Sequence, residues 1–392
     1  MRSIHWLGAL VVVGCSGTHS SFGNGDDSGT DSGMMGADTG VPPTEDSGCP
    51  FCGDDGGGDG AADTCNPNPA NYDIPGNGCD DDGDGIIDNP QGLCDTGLPT
   101  TSPSAAQFAQ SIGICPDKGT TWGVTSATYT QGVGSTKAPL AQQYGTLAKF
   151  GTNVPARQGA VLGLLSTGVA ADKDCGDGQD KGNTCSNSGA GSPPSGYPKA
   201  ATGCPGSTVA NDVVDVVLQV KVPANAKGFT FDFNFYSGEW PEWVCTTFND
   251  SFVAWLTSTA WMGTSGDYNI SFDTKNNPVS VNNNFFQACS PANATVGCDG
   301  TSSSTDACSL GNMELQGTGF FITGDNECGQ TDSGGGATGW LTTQAPVTPG
   351  ETITLQFMIW NTGDQAYDSS VLIDNWQWVP SATSVSTTRP PS

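Results

Sequence analysis

Basic residues are scarce in this chain: 12 Lys and Arg stand against 40 Asp and Glu over 392 residues, a formal net charge of -28. No Lys or Arg occurs between Arg2 and Lys118. A nucleic-acid partner needs a basic footprint, so that class is excluded, as is adhesion to anionic lipid by charge. Histidine is nearly absent, with only His5 and His19, both ahead of any sequence that could fold. The folded part therefore cannot contain a His-based triad, an imidazole general base or a His-ligated zinc site. Long apolar runs are missing too. The run Trp6 to Val13 is too short to span a bilayer permanently, and no long segment repeats apolar residues at helical spacing.

What is present begins with a leader. Arg2, the apolar run and Gly14-Cys15 supply the positive, apolar and small-residue regions of a secretory signal over residues 1–14. The stretch Val12-Val13-Gly14-Cys15 resembles a bacterial lipobox, which implies cleavage before Cys15 and diacylation of its sulfur. Ser16, rather than Asp, follows, and in such lipoproteins this implies outer-membrane sorting. The reading is an exported protein, lipid-anchored at the outer membrane or cell surface, with the membrane as a partner through its anchor. Cysteine usage agrees. Of 15 cysteines, setting Cys15 aside leaves an even number, as a disulfide framework requires. Only Cys49-Pro50-Phe51-Cys52 has CxxC spacing, and no second such pair completes a four-thiolate zinc site. Local pairs such as Cys79 with Cys94, or Cys175 with Cys185, fit the spacing.

Residues 15–64 are Gly, Ser, Thr, Asp and Pro with almost no aliphatics, too little apolar surface to offset chain entropy, so they read as a disordered acidic tether. A Cys-bounded segment follows at 65–98. Its centre, Cys79-Asp80-Asp81-Asp82-Gly83-Asp84-Gly85-Ile86-Ile87-Asp88, alternates carboxylates around a turn, and calcium takes six to eight such oxygens. In EF-hand register Asp80, Asp82 and Asp84 are ligands, Gly85 is the turn, Ile86 offers its carbonyl, Ile87 is the apolar anchor and Asp88 is the ninth position. Gln91 occupies the twelfth, where a bidentate Glu is expected, so the site should be weaker than a full EF-hand. With the preceding Asp73-Ile74-Pro75-Gly76-Asn77-Gly78, the segment resembles both the short aspartate-rich metal-binding motif of myxobacterial surface proteins and thrombospondin type 3 repeats. An acidic solvated turn is the plainer alternative.

From 108 to 380 the period changes to two. Phe229-Thr230-Phe231-Asp232-Phe233-Asn234-Phe235 sets four phenylalanines on one face and polar groups on the other, the pattern of a half-buried strand. Val216, Leu218, Val220 and Val222 alternate likewise, as do Ile353, Leu355, Phe357 and Ile359, with a less regular run from Ser370 to Val379. The predicted fold class is all-β: an antiparallel β-sandwich or jelly-roll-like domain after the tether, with a flexible tail at 381–392.

Several segments in order, Arg157-Gln158-Gly159-Ala160, Leu165-Ser166-Thr167-Gly168, Asn211-Asp212-Val213-Val214-Asp215, and Ser237-Gly238-Glu239-Trp240-Pro241-Glu242-Trp243 followed by Phe248-Asn249-Asp250-Ser251-Phe252, resemble the choice-of-anchor L domain. Pro346-Val347-Thr348-Pro349-Gly350-Glu351 and Asn361-Thr362-Gly363-Asp364-Gln365-Ala366-Tyr367-Asp368-Ser369-Ser370 extend the match. Gly238 departs from the family's paired glutamates. The resemblance implies fold and surface location rather than a reaction.

Glu239, Glu242, Asn249 and Asp250, with Asp364, Asp368 and Asp374 near the last strand, form a second candidate metal or ligand site. Turn hydrogen bonding is the alternative reading of the Asp set. Pro241 disfavours a central strand, so Trp240 and Trp243 are expected to be partly exposed beside these carboxylates, and Trp376 and Trp378 are further exposed candidates. The favoured function is a non-enzymatic, calcium-stabilised surface binding or adhesion module, with an extracellular polysaccharide or surface protein as ligand. The competing one is an extracellular carbohydrate-active enzyme using Glu239 and Glu242 as its carboxylate pair.

Overall fold

In the computed structural model the residues described are 65–89, 92–115, 121–172, 188–282, 295–296, 302–303, 310–321, 334–381 and 384–390. The leader, Cys15, the tether, Gln91 and the Cys175–Cys185 pair lie outside them.

Two antiparallel sheets face each other. One runs Gly123–Thr130, Ala210–Lys221, Thr352–Thr362, Ser251–Thr257, Val279–Ser280. The other runs Ser386–Thr388, Leu341–Pro346, Gly228–Ser237, Ser369–Val379, Leu162–Ser166, Tyr144–Leu147, with Gly336–Ala337 added beside Gly228–Ser237. The alternating runs supply the layer between them. Val216, Leu218, Val220, Phe252, Leu256, Ile353, Leu355, Phe357 and Ile359 from one sheet pack with Phe229, Phe231, Phe233, Phe235, Val371 and Ile373 from the other. A β-sandwich with an interlayer core is what the period-two reading predicts. The helix Ala105–Ser111, started by a Ser104–Gln107 capping box, buries Phe108 and Ala109 in this core.

The irregular run at Ser370–Val379 has a physical reason. Its pairing with Gly228–Ser237 shifts between Asp374 and Gln377, and Asn375 takes a left-handed φ of 56°. This bulge changes the side-chain parity, so Trp376 and Trp378 turn inward after Val371 and Ile373. Trp376 stacks on Phe229 at 4.2 Å, and both tryptophans are buried. Their expected exposure is therefore corrected.

Half-burial of the phenylalanine strand is corrected as well. Asp232, Asn234 and Tyr236 on its other face are buried: Tyr236 joins a second apolar cluster with Phe150, Val154, Leu315 and Phe320, and Asp232 is held by Arg157, Asn375 and Thr342. Among the described cysteines the disulfides are Cys65–Cys79, Cys94–Cys115 and Cys204–Cys245. Cys79 does not pair with Cys94.

The acidic segment is joined to the sandwich. Asn225 Nδ2 donates to the Tyr72 carbonyl at 2.8 Å and its Oδ1 accepts from the Tyr72 N–H at 3.0 Å. Trp122 Nε1 donates to the Asn71 carbonyl at 2.8 Å, and Tyr72 itself enters the main core.

Candidate functional site

In the acidic segment Asp73, Asp80 and Asp82 offer carboxylate oxygens that lie within 4.8 Å of one another. Local hydrogen bonds set their directions. Asp80 Oδ1 accepts from the N–H groups of Gly83 and Asp84, and its Oδ2 from Gly85. Asp73 Oδ1 accepts from Asp81 and Asp82, and its Oδ2 from Asn89. Burial, then neighbouring Asp73, Asp84 and Asp80 charges, raise the pKa of Asp82 against the pull of the Asp84 N–H.

The expected ligands divide at this point. Asp84 caps Ile86 and accepts from Asn89 Nδ2, while Asp88 accepts from the N–H groups of Asn77 and Gly78 and closes that turn. Neither belongs to the three-carboxylate group, which takes Asp73 instead. Ile86 and Ile87 are both exposed, so Ile87 is no apolar anchor. Asp73 was visible in the Asp73-Ile74-Pro75-Gly76 run, but EF-hand spacing gives it no ligand position.

The second candidate set also divides. Glu239 and Asp250 come together at one end of the layer between the sheets: Glu239 Oε2 accepts the Asp250 N–H at 3.2 Å. Asp250 Oδ1 accepts from the Thr362 N–H at 2.9 Å and its Oδ2 from Ser369 Oγ at 2.7 Å. Both carboxyls are raised far above the usual range, chiefly by burial. The Asp250 charge raises Glu239 further, whereas the Ser369 and Thr362 donors oppose the rise at Asp250. Asp364 is more exposed and acts on both by its charge. Glu242 and Asn249 are buried nearby in sequence, and Asn249 Oδ1 accepts from the Asn282 N–H. Asp368 lies against Gly168, where any Cβ would collide with its carboxylate.

Trp240 is buried and Trp243 half-buried, with its ring edge-on to Phe248 at 5.3 Å. The partial exposure expected of the two tryptophans holds for Trp243 and is corrected for Trp240, while Cys245 and Thr247 of the same segment are exposed. The strand ends at Ser237, and Pro241 lies in the turn that follows, outside any strand.

Asp374 belongs elsewhere. It sits opposite Asp232 on the outer face of the phenylalanine strand, and its Oδ2 accepts from the N–H groups of Arg157 and Gln158. Burial lifts its carboxyl to about 7 against those N–H bonds, with the Asp232 charge adding to the rise. Arg157 Nε pairs with Asp232 at 2.6 Å, and its guanidinium lies 5.5 Å from the centre of the Trp340 ring.

A polar cleft of about 650 Å³ opens between the loops at 195–199 and 264–276. Tyr197 Oη donates to Asp267 at 3.0 Å, and Lys199 Nζ lies 3.3 Å from the same carboxylate. Lys199 Nζ also donates to the Asn276 carbonyl, and Phe272 lines the cleft. No motif in the sequence marks these residues, because the cleft is assembled from two loops far apart along the chain.

The choice-of-anchor L domain matches the chain over residues 101–377. No curated protein and no solved structure matches it.

Proposed function

Because the chain belongs to the choice-of-anchor L domain family, which points to a surface-associated protein, we propose that it is a calcium-stabilised, non-enzymatic binding or adhesion module held at the cell surface through a lipid on Cys15. The observation that carries calcium is the convergence of Asp73, Asp80 and Asp82 in a segment bonded to the sandwich through Asn225 and Trp122. Three carboxylates can neutralise and ligate a hard cation, and a cation bound there would stabilise the segment and the sheets it packs on. The ligand surface is the Tyr197–Lys199–Asp267 cleft, whose aromatic and polar groups suit a sugar chain better than a flat protein face. The carbohydrate-enzyme reading gains no support from Glu239 and Glu242, each about 2% exposed and out of reach of a polysaccharide.

Calcium titration of the chain by calorimetry and thermal melting tests the first part, with retention on exopolysaccharide columns testing the second. Asp80→Asn with Asp82→Asn should weaken calcium binding at the segment by about tenfold or more, and Lys199→Ala should reduce column retention without altering the melt. Turnover of the polysaccharide, or calcium affinity untouched by the double substitution, would count against the reading. Cys15→Ser should move the protein from membranes to the soluble fraction; unchanged detergent partitioning would remove the lipid anchor.

A further inference from the structure

The end of the sandwich that gathers Glu239 and Asp250 contains a third oxygen donor, Asn361, which sequence reasoning placed only in a family-like stretch. In the pairing of Thr352–Thr362 with Ser251–Thr257, Trp360 stands opposite Ser251, so the next step along the ladder sets Asn361 beside Asp250. The direction of its side chain follows from its neighbours. Trp360 Nε1 donates to Thr362 Oγ1 at 3.1 Å, which puts those two side chains on one face. Trp360 lies in the cluster outside the sheet with Val213, Val253 and Met358. Alternation therefore turns Asn361 to the other face, into the layer where Asp250 meets Ser369 of the opposite sheet.

Asn361 is 1% exposed, and neither its Oδ1 nor its Nδ2 has a hydrogen-bond partner among the described residues. A buried amide left so costs about 1–3 kcal/mol. Two carboxylates share its end of the layer, and the ion pairs among the described residues, Arg157–Asp232 and Lys199–Asp267, lie elsewhere. Two buried carboxyls in contact with no cationic side chain paired to them, beside an unpartnered amide oxygen, are together satisfied by a cation between them.

We propose that Glu239, Asp250 and the Asn361 amide oxygen hold a hard divalent cation, calcium by its all-oxygen donors, that ties the two sheets together at this end. Asp250 is anchored for the role, with one donor from each sheet. The two carboxylates match the charge of the ion, and Asp364 adds a negative charge from the more exposed side. Zinc is disfavoured, since the site offers neither imidazole nor thiolate. This site is separate from the aspartate segment, so either can fail alone.

The test uses the full chain carrying Asp73→Asn, Asp80→Asn and Asp82→Asn, which removes the three converging carboxylates of the segment, after stripping with a chelator. Calcium added at neutral pH should still raise the melting temperature and titrate as one site. Asn361→Leu in that background should lower calcium affinity by at least about tenfold. If Asn361 serves no ion, the same change removes an unsatisfied amide, leaves calcium affinity within about twofold and stabilises the protein, which overturns the proposal. No calcium response before Asn361 is changed also overturns it, and assigns Glu239 and Asp250 to proton sharing. Should Asn361→Leu not fold, terbium replaces calcium in the Asp73→Asn, Asp80→Asn, Asp82→Asn protein. Emission sensitised by Trp240, the neighbour of Glu239, should be displaced by calcium and lose most of its intensity in Trp240→Phe; emission unchanged by Trp240→Phe rejects the site.

Discussion

The two faces of the strand Gly228–Ser237 are both buried, save for a half-buried Thr230, and chemically different. On the inner face Phe229, Phe231, Phe233 and Phe235 pack ring on ring, with Phe233 and Phe252 centred 5.1 Å apart. On the outer face Asp232 and Asn234 are buried with hydrogen bonds to nearly every available atom: Asp232 accepts from Thr342, Asn375 and Arg157, and Asn234 donates to Glu314 and Tyr236. The lesson is that alternation of polar and apolar residues reports which face is hydrocarbon, not which face is wet. The inner face stabilises by area removed from water, whereas the outer face must replace each lost water bond and gains little net energy from doing so. Its return is specificity, because one register alone pairs Asp232 with Arg157 and Asn234 with Glu314.

The largest test of this contrast is on the inner face. Phe233→Ala should cost about 3–5 kcal/mol in urea unfolding, the range for a buried phenylalanine truncated in a close-packed core. The loss should be the same at every pH at which the protein folds, since the ring packs on Phe231 and Phe252 in the apolar layer. A loss below about 1 kcal/mol would mean that the layer collapses around the gap and that the inner face is less tightly packed than its ring contacts indicate.

A smaller, pH-dependent effect belongs to the outer face. The Asp374 carboxyl is raised to about 7 in the fold, from an ordinary value near 4 in the unfolded chain. Between those values the native state binds more protons, so stability falls as pH rises from about 4 to about 7 and levels off above. Asp374→Asn should remove up to about 4 kcal/mol of that fall, at about 1.4 kcal/mol per pKa unit. Asp215, also held at about 7 by burial, leaves a residual slope of the same sign. Stability curves measured across this range check it, and an unchanged slope would place the titration elsewhere.

The inner face was legible in sequence because hydrophobic period is a local signal, and the sandwich follows from it. The family stretches were legible instead as short motifs in order along the chain, from Arg157-Gln158-Gly159-Ala160 to Phe248-Asn249-Asp250-Ser251-Phe252. The outer face was not: its cover comes from Phe150, Leu315 and Phe320, far along the chain and outside any alternating run. The bulge at Asn375, which hides Trp376 and Trp378, depends on a left-handed residue in the middle of a strand and leaves only an irregular pattern. For the same reason the acidic candidates could be found but not grouped. Asp250, Asp368 and Asp374 look alike in sequence, yet the fold sends them to Ser369, Gly168 and Arg157.

The smallest effect separates hydrogen bonding from charge on the outer face. Glu314 Oε1 accepts from Asn234 Nδ2 at 2.5 Å and from Tyr236 Oη at 2.9 Å, in a space closed to water. Burial raises its carboxyl, while those two donors and the charge of Arg389 oppose the rise. Glu314→Ala removes the acceptor of the buried Tyr236 phenol and one of the two acceptors of Asn234 Nδ2, a loss of about 1–3 kcal/mol. Glu314→Gln keeps an oxygen for both donors and removes one titration, so it should stay within about 1 kcal/mol of the parent and lose only Glu314's share of the decline in stability above the ordinary carboxylate range. Parallel urea melts of the two variants at acidic and neutral pH distinguish the cases. If glutamine is as damaging as alanine, the negative charge toward Arg389 holds residues 310–321 in place rather than the hydrogen bonds, and the outer face is then an electrostatic contact instead of a set of matched donors and acceptors.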